Sequence, residues 1–264
     1  MDICFPQLER VALACSTAAR EAILPHFRSR SLQADNKDQN GYDPVTIADR
    51  AAETAIRTVL TELRPDDAIL GEEHGRKSGS TGLTWVLDPI DGTRGFVSGT
   101  PTWGVLIAVT DASGPVFGLI SQPYIGEHFV GFNGSGWTDG PAGRTDLRTR
   151  AARPLDEATV LTTFPEVGSP LEARAFNAVA RRARLTRYGM DCYGYALLAA
   201  GQVDLVIEAG LQAYDICAPI AVIEGAGGIV TDWRGGPAHG GGTALAAANP
   251  EIHAEALAIL RGEL

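Results

Sequence analysis

The sequence predicts a mixed fold of the α/β (α+β) class, and three observations lead to that prediction. In the first half, extended apolar runs follow one another with short Gly, Pro and Asp turns between them, as in an antiparallel meander. In the second half, short strands alternate with helices, which indicates an α/β lobe. The chain has 264 residues, of which 45% are hydrophobic and 20% charged, enough for a sizeable core. We expect one unit of two packed lobes, about residues 1–150 and 151–264.

Two helices are predicted near the N-terminus. Apolar residues recur at helical spacing from about Leu8 to Phe27. Residues 29–44 are polar and rich in turn formers, so we expect a loop there. The second helix should begin near Thr46, because Thr46 and Asp49 have the spacing of a capping box. Asp49 would then lie in the first turn, where an acid also simply stabilises the helix macrodipole.

Short apolar runs bounded by turn residues predict the strands of the first half. They are Ala68–Leu70, Trp85–Leu87, Thr102–Thr110, Val116–Gln122 and His128–Phe132. Pro89 has no N–H for a strand ladder, so the second of these strands should end before it. The meander is expected to end in a glycine-rich turn at Gly131–Gly136.

Strands and helices alternate through the second half. The predicted strands are Ala158–Thr163, Leu185–Tyr188, Val203–Glu208, Gly228–Trp233 and Ala244–Ala248. The predicted helices are Leu171–Arg184, Asp191–Ala200, Asp215–Gly225 and Pro250–Arg261.

Charge and composition exclude several classes of partner. The formal net charge is −10, with 32 acidic against 22 basic residues, which disfavours nucleic acid because phosphate backbones are bound by clustered Lys and Arg. No apolar run reaches the ~18–20 residues of a transmembrane helix, so we expect no membrane partner. The N-terminus has no signal-peptide pattern and the four cysteines have no C-x-x-C spacing. We therefore expect a cytoplasmic protein with reduced thiols.

The stretch Trp85–Phe96 places two carboxylates at the end of a buried strand. Asp88 follows the apolar run directly, Asp91 comes three residues later, and Gly92 and Thr93 then turn the chain. Carboxylates can hold Mg²⁺, and successive backbone N–H groups can hold a phosphate oxygen. Asp-Pro and Asp-Gly are also ordinary turn dipeptides, so this stretch alone leaves both interpretations open.

Further acids follow strands or open helices elsewhere in the chain. Glu72 follows the strand Ala68–Leu70, and Asp215 opens a predicted helix. Hard oxygen ligands on the ends of rigid elements suit Mg²⁺, which keeps several waters and takes substrate phosphate as a ligand. Competing motifs are absent from the sequence: there is no P-loop, no EF-hand loop, no D-x-D-x-T and no arrangement of a Ser/His/Asp triad. Solvated loop acids remain the alternative interpretation of each acid taken singly.

Four stretches of the chain resemble the inositol monophosphatase family of Mg²⁺-dependent, lithium-sensitive phosphatases. In family order they are Asp43–Asp49, Gly71–Glu73, Trp85–Phe96 and residues 214–228, which carry Tyr214-Asp215 and Glu224-Gly225-Ala226-Gly227-Gly228. The resemblance covers most of the chain. It implies a layered αβαβα sandwich forming a single catalytic unit, usually as a homodimer, that acts on a small phosphomonoester and is inhibited by Li⁺.

The resemblance also implies a set of metal ligands. One metal would be held by Glu72, Asp88 and the Ile90 carbonyl, and a second by Asp88, Asp91 and Asp215, with about two or three Mg²⁺ ions in the site. Such ions would neutralise the phosphate dianion and activate the attacking water.

The same resemblance implies the catalytic and phosphate-binding groups. Asp49 and Thr93 would polarise the attacking water, and Glu72 would be a third catalytic residue. The backbone N–H groups of Gly92 and Thr93 would bind the phosphate. The chain departs from the family at Gly95, where Asn is frequent, and we expect this to affect only the local turn.

A finer resemblance is to bacterial histidinol-phosphate phosphatases of the inositol monophosphatase type. It is carried by Ser98–Leu106, Gln122–Gly126 and Tyr188–Tyr193, and Arg187–Glu208 extends it. The resemblance implies hydrolysis of histidinol phosphate in histidine biosynthesis. Two alternatives stay open: an inositol-1-phosphatase or other small phosphomonoesterase, and a non-catalytic partner of the transcription machinery.

Asp191 and Glu208, together with Asp91, are the predicted substrate-binding residues. Glu208 ends a strand seven residues before Asp215, and by family resemblance this Glu contacts inositol hydroxyls. Asp191 stands where inositol phosphatases typically carry a small residue beside the inositol ring. Two carboxylates suit a cationic alcohol such as histidinol, whose ammonium and imidazole can donate to them. Alternatively, Asp191 caps the helix beginning at Cys192.

Overall fold

A computed structural model describes residues 4–30, 32, 34–36 and 44–264 of the chain. The helices of this part are α1 (Phe5–Ile23), α2 (Ile47–Leu63), α3 (Thr93–Ser98), α4 (Pro170–Ala180), α5 (Asp191–Ala199), α6 (Ala213–Gly225) and α7 (Pro250–Glu263). None of these helices is both long and apolar enough to cross a bilayer.

The strands of the described residues form three sheets. A pair consists of β1 (Ala34–Asn36) and β2 (Pro44–Thr46). An eight-stranded sheet, in the order β10-β9-β8-β7-β6-β5-β3-β4, contains β3 (Ala68–Gly71), β4 (Gly75–Lys77), β5 (Thr84–Asp91), β6 (Gly104–Asp111), β7 (Gly114–Gln122), β8 (Glu127–Phe132), β9 (Ser135–Asp139) and β10 (Thr145–Asp146). A five-stranded sheet, in the order β12-β11-β13-β15-β14, contains β11 (Thr159–Thr162), β12 (Leu185–Tyr188), β13 (Leu205–Leu211), β14 (Ile229–Thr231) and β15 (Gly242–Ala247).

Helices and sheets alternate in layers. Helices α1 and α2 pack on one face of the eight-stranded sheet, α5 and α6 lie between the two large sheets, and α4 and α7 pack together on the other side of the five-stranded sheet. Both large sheets therefore bury both faces at their centres, which is why their central strands are continuous apolar runs rather than alternating patterns. The predicted αβαβα sandwich is confirmed.

The strand that carries the central acids does not end before Pro89, so that prediction was wrong. β5 continues to Asp91 through a β-bulge between Asp88 and Asp91, where two residues of β5 oppose one of β6. A proline fits there because the ladder is locally interrupted. The bulge also has a consequence for the acids: residues three apart on a regular strand point to opposite faces, whereas Asp88 and Asp91 line the same cavity.

The run Gly131–Gly136 is not one turn, and that prediction was also wrong. Gly131 pairs with Gly136 across β8 and β9, and Asn133 and Gly134 alone make the turn, both with positive φ. A Cβ on Gly131 would overlap the carbonyl oxygen of Ala221 in α6. Glycine is therefore needed in β8 because the helix packs directly against the strand backbone.

Some elements were not predicted at all. The segment 29–44, expected to be a loop, contains β1 and the first residue of β2, and these two strands pair antiparallel. Residues 31, 33 and 37–43, including the Asp43 end of the first family-like stretch, lie outside the described residues. The short helix α3 was not predicted: it begins at Thr93, where only a turn was expected. Strand β4 was not predicted either, and it follows the turn that contains Glu72.

Glu53 connects helix α2 to the turn that carries Glu72. Its side chain is fully buried. The carboxylate accepts the backbone N–H groups of Glu73 at 2.7 Å and His74 at 3.2 Å, and the Nε–H of Arg57 at 2.7 Å. These bonds fix the β3–β4 turn against α2, and with it the backbone next to Glu72.

We predict that Glu53→Gln lowers the free energy of unfolding by about 1–3 kcal/mol, because a neutral amide replaces the charged acceptor of three hydrogen bonds. Urea unfolding followed by circular dichroism measures the change. The control is Glu62→Gln at an exposed position of the same helix, which should stay within about 0.5 kcal/mol of the unsubstituted protein. Equal effects of the two substitutions would contradict the role given to Glu53.

Candidate active site

A cavity of about 270 Å³ collects residues from both large sheets and the helices between them. With one exception, every site residue predicted from the sequence lines it. The lining predicted residues are Glu72, Asp88, Ile90, Asp91, Gly92, Thr93, Asp191, Glu208 and Asp215. The exception is Asp49, which is buried and reaches the site through Thr93.

Three carboxylates of the cavity form a compact acidic cluster. Oxygen atoms of Asp88, Asp91 and Asp215 all lie within 4.8 Å of one another. Burial, followed by the charges of Glu72, Asp91 and Asp215, raises the pKa of Asp88 well above its ordinary value. Burial, followed by the charges of Asp215 and Asp191, does the same to the pKa of Asp91. Like charges at this distance are unfavourable unless a proton or cation neutralises them, and the donors are hard oxygens, so the residues present fit a divalent ion such as Mg²⁺.

Two of the predicted acids occupy equivalent places in their helices. Asp49 and Asp215 are each the third residue of a helix and each complete a capping box. The Thr46 N–H donates to Asp49 Oδ2 at 2.8 Å, and the Gln212 N–H donates to Asp215 Oδ2 at 2.7 Å. Each cap fixes the direction of its carboxylate, so the structural and functional interpretations of these acids are compatible.

Thr93 lies between Asp49 and the strand that carries the acidic cluster. Its Oγ1 is 3.4 Å from Asp49 Oδ1 and 3.1 Å from the Ile90 carbonyl oxygen, so its proton has two acceptors to choose from. Asp49 therefore uses one oxygen for the helix cap and turns the other toward Thr93. Burial raises the pKa of Asp49, against the opposing effect of its hydrogen bonds from Thr46.

The alternative interpretation of Asp191, as the cap of a helix beginning at Cys192, was wrong. The helix begins at Asp191 itself and has no side-chain cap at its preceding residue. The N–H of Cys192 instead donates to Asp91 Oδ2 at 2.6 Å. Asp91 therefore stabilises the first turn of α5 across 101 residues of sequence, which the spacing could not reveal.

The Asp191 side chain faces the cavity in a constrained position. Its φ is +47°, a left-handed conformation that Asp tolerates better than most residues. Its Oδ2 accepts the Thr102 hydroxyl at 3.3 Å, and a Cβ on Gly92 would lie 2.7 Å from its side chain. Burial raises the pKa of Asp191 to about 6, against the opposing effects of Thr102 and the Arg94 charge.

Glu208 lies on β13 and also lines the cavity. Its Oε1 accepts both the backbone N–H and the hydroxyl of Thr163, each at 2.8 Å. Burial raises the pKa of Glu208 to about 7, the two Thr163 bonds oppose this shift, and the charges of Asp191 and Asp215 add to it. The carboxylate is thus held through one of its oxygens.

Several lining residues were missed by the sequence analysis. They are Arg94, Thr163, Phe164, Cys192, Tyr195, Ala209, Gly210 and Leu211. The Arg94 guanidinium lies 4.6 Å from the centre of the Phe164 ring, so the contact joins the two halves of the chain at the cavity. Thr163 and Phe164 follow β11, which pairs in parallel with β13, and the carboxyl ends of parallel strands gather at one edge. The sequence could have predicted Thr163 and Phe164 as lining residues only if the pairing of β11 with β13 had been known.

Comparison with known proteins agrees with this geometry. Residues 6–263 match the model of the inositol monophosphatase family. The bifunctional phosphatase IMPL2 of Arabidopsis thaliana chloroplasts is 42% identical over 87% of this chain, and the chain spans 66% of that protein's length. A histidinol-phosphatase of Chlorobaculum parvum is 34% identical over 92% of both chains.

Among solved structures, an inositol monophosphatase from Zymomonas mobilis superposes with a TM-score of 0.86 and 36% identity, covering 98% of this chain and 100% of the other. The match of the family model to nearly the whole chain, together with this structural likeness, shows that the protein belongs to the inositol monophosphatase family of phosphatases.

Proposed function

We propose that the protein is an Mg²⁺-dependent phosphomonoesterase that hydrolyses L-histidinol phosphate to L-histidinol and phosphate, a step of histidine biosynthesis. One observation carries the substrate: Asp191 and Glu208 line the same cavity as the acidic cluster. Phosphate and metal are common to all substrates of such a site, so selectivity must come from the leaving-group side. Two carboxylates there favour a cationic alcohol over a neutral polyol.

The relatives support the proposal without deciding it. Likeness to a histidinol-phosphatase favours histidinol phosphate, and likeness to a solved inositol monophosphatase favours the alternative, inositol 1-phosphate or another small phosphomonoester. A non-catalytic partner of the transcription machinery would not need the full set of acids in the cavity. We expect a cytoplasmic homodimer whose partner is the small phosphomonoester, with neither nucleic acid nor membrane involved.

The metal ligands in this proposal are Asp88, Asp91 and Asp215, completed by Glu72 and the Ile90 carbonyl, for about two or three Mg²⁺ ions. When bound, the ions neutralise negative charge on the phosphoryl oxygens and acidify water. The protein's contribution is to hold the carboxylates together before the ions arrive. The bulge in β5 and the cap of α6 do this from two directions.

Thr93 and Asp49 orient the attacking water in this mechanism. Thr93 Oγ1 accepts a hydrogen bond from the water while its own proton points to Asp49 Oδ1, 3.4 Å away. The buried Asp49, with its raised pKa, is a better proton acceptor than an exposed Asp. The backbone N–H groups of Gly92 and Thr93 hold the phosphate where the chain turns into α3.

We predict that Asp88→Asn reduces turnover below about a tenth of the wild-type value at every Mg²⁺ concentration, because it removes a carboxylate shared by the metals. Phosphate release measures turnover. The rise in melting temperature on adding Mg²⁺ measures metal binding, which the substitution should also weaken. Asp66→Asn, at an exposed acid outside the cavity, is the control and should change neither. Substantial activity in Asp88→Asn would refute the metal assignment.

We predict that Thr93→Ala lowers kcat by ~10²–10⁴, the usual range for a positioned acid/base group, with a smaller change in KM. Steady-state kinetics on purified enzyme measure both constants. Thr93→Ser keeps the hydroxyl and should retain most of the activity. If Thr93→Ala keeps its kcat and loses only thermal stability, Thr93 serves merely to begin α3.

We predict that Asp191→Asn lowers kcat/KM for histidinol phosphate roughly 10–150-fold, the value of a charge-assisted hydrogen bond of about 1.5–3 kcal/mol. Asn is preferred to Ala because it tolerates the positive φ of this position. Activity on inositol 1-phosphate should stay unchanged or improve, whereas Glu208→Gln should impair both substrates. Equal losses on both substrates for Asp191→Asn would make Asp191 structural, and a wild type that prefers inositol 1-phosphate would exclude the histidinol assignment.

A further inference from the structure

The hydroxyl of Tyr195 is a buried donor without a hydrogen-bond partner at the candidate active site. Tyr195 lies on α5 and lines the cavity, its side chain is almost completely buried, and its hydroxyl has no hydrogen-bond partner among the described residues. A buried hydroxyl without a partner costs free energy that phenylalanine of the same shape would not. Seven buried side-chain atoms of the described residues have no hydrogen-bond partner, and the Tyr195 hydroxyl is the one that belongs to a residue lining the cavity. Each such group in a native structure calls for an explanation, and a functional role is one.

Tyr195 lines the same cavity as Glu208, Asp91 and Asp215, whose charges affect its pKa. Burial raises the pKa of Tyr195, and among neighbouring charges Glu208 contributes most, followed by Asp91 and Asp215. Tyr195 therefore stays a neutral O–H donor, and a phenol O–H forms strong hydrogen bonds to ionised carboxylates. Asp91 and Asp215 belong to the acidic cluster proposed to hold metal, which leaves Glu208 as the acceptor to be considered.

Glu208 is held in a way that allows it to take this bond. Both bonds from Thr163 go to Oε1, on the side of β11. The Tyr195 hydroxyl is closed off from solvent, so its partner must come from a side chain that moves rather than from bulk water. A small rotation of the Glu208 carboxylate about its Oε1 contact is such a movement.

We propose that Tyr195 is a positioning residue of the leaving-alcohol subsite: when substrate is bound, its hydroxyl donates to Glu208 and holds that carboxylate toward the hydrogen-bond donors of the alcohol. The inference rests on the proposed function and deepens it by naming the group that orients Glu208. In the free enzyme the unpaired hydroxyl raises the free energy of the protein. The hydroxyl gains its partner when substrate binds, so relief of this penalty strengthens the binding of substrate.

Helix α5 supplies a matched control for the test. Tyr193 lies two residues earlier on the same helix, and its hydroxyl donates to Glu127 Oε2 at 2.6 Å, outside the cavity lining. Tyr193→Phe should lower the melting temperature and leave kcat/KM unchanged. Tyr195→Phe should do the opposite: its melting temperature should stay unchanged or rise, and kcat/KM on the preferred substrate should fall about 10–100-fold.

A second substrate distinguishes a role of Tyr195 in positioning Glu208 from a general loss of catalytic activity. p-Nitrophenyl phosphate has a leaving group with no hydrogen-bond donor for Glu208, so Tyr195→Phe should change its kcat/KM less than about twofold. Glu208→Gln should show the same selective loss, and combining it with Tyr195→Phe should add little, as expected for coupled residues. Parallel losses on both substrates, no loss on the preferred one, or a lower melting temperature for Tyr195→Phe would each overturn the inference.

The preferred substrate is chosen on the wild type from histidinol phosphate and inositol 1-phosphate, each assayed with Mg²⁺. A preference for inositol 1-phosphate would defeat the histidinol assignment while the variants still decide the role of Tyr195, because Glu208 can accept donors from either alcohol. No hydrolysis of either substrate would overturn both the proposed function and this inference.

Discussion

The mutual repulsion of clustered carboxylates is the constraint on which the rest of this structure depends. Asp88, Asp91 and Asp215 bring oxygen atoms within 4.8 Å of one another, and burial together with neighbouring charge raises the pKa of Asp88 and of Asp91. A cluster of this kind does not assemble by itself. The fold must hold each acid firmly enough to offset this repulsion, which a proton or a cation would relieve, and two large sheets with helices packed between them provide that rigidity.

Asp91 and Asp215 of this cluster, and Asp49 beside it, are each held by a hydrogen bond from the backbone. Asp91 accepts the first-turn N–H of Cys192, Asp215 completes the capping box of α6, and Asp49 completes that of α2. In each case an N–H near a helix N-terminus, where the macrodipole favours negative charge, fixes the acid's direction. A helix cap and a catalytic role are therefore not alternatives for Asp49 and Asp215.

The cavity is lined by residues from both halves of the chain. Asp88, Asp91 and the start of α3 come from the first half, whereas Asp215 on α6, Asp191 on α5 and Glu208 on β13 come from the second. Thr163 donates hydrogen bonds to Glu208, and Thr102 donates one to Asp191. Asp191 and the acidic cluster are nevertheless linked, because the N–H of Cys192, the residue after Asp191, donates to Asp91 Oδ2.

The sequence by itself determined the class of the fold, the layered sandwich through family resemblance, and the identity of the acids, because those depend on residue type, local periodicity and the order of short motifs. Tertiary structure alone decided the bulge at Pro89, the bond from Cys192 to Asp91, and the place of Tyr195 in the same cavity as Glu208. Each of these depends on which strand pairs with which and in what register. Local sequence carries the period of an element and its turns, but long-range pairing determines which face a side chain takes and which distant group it meets.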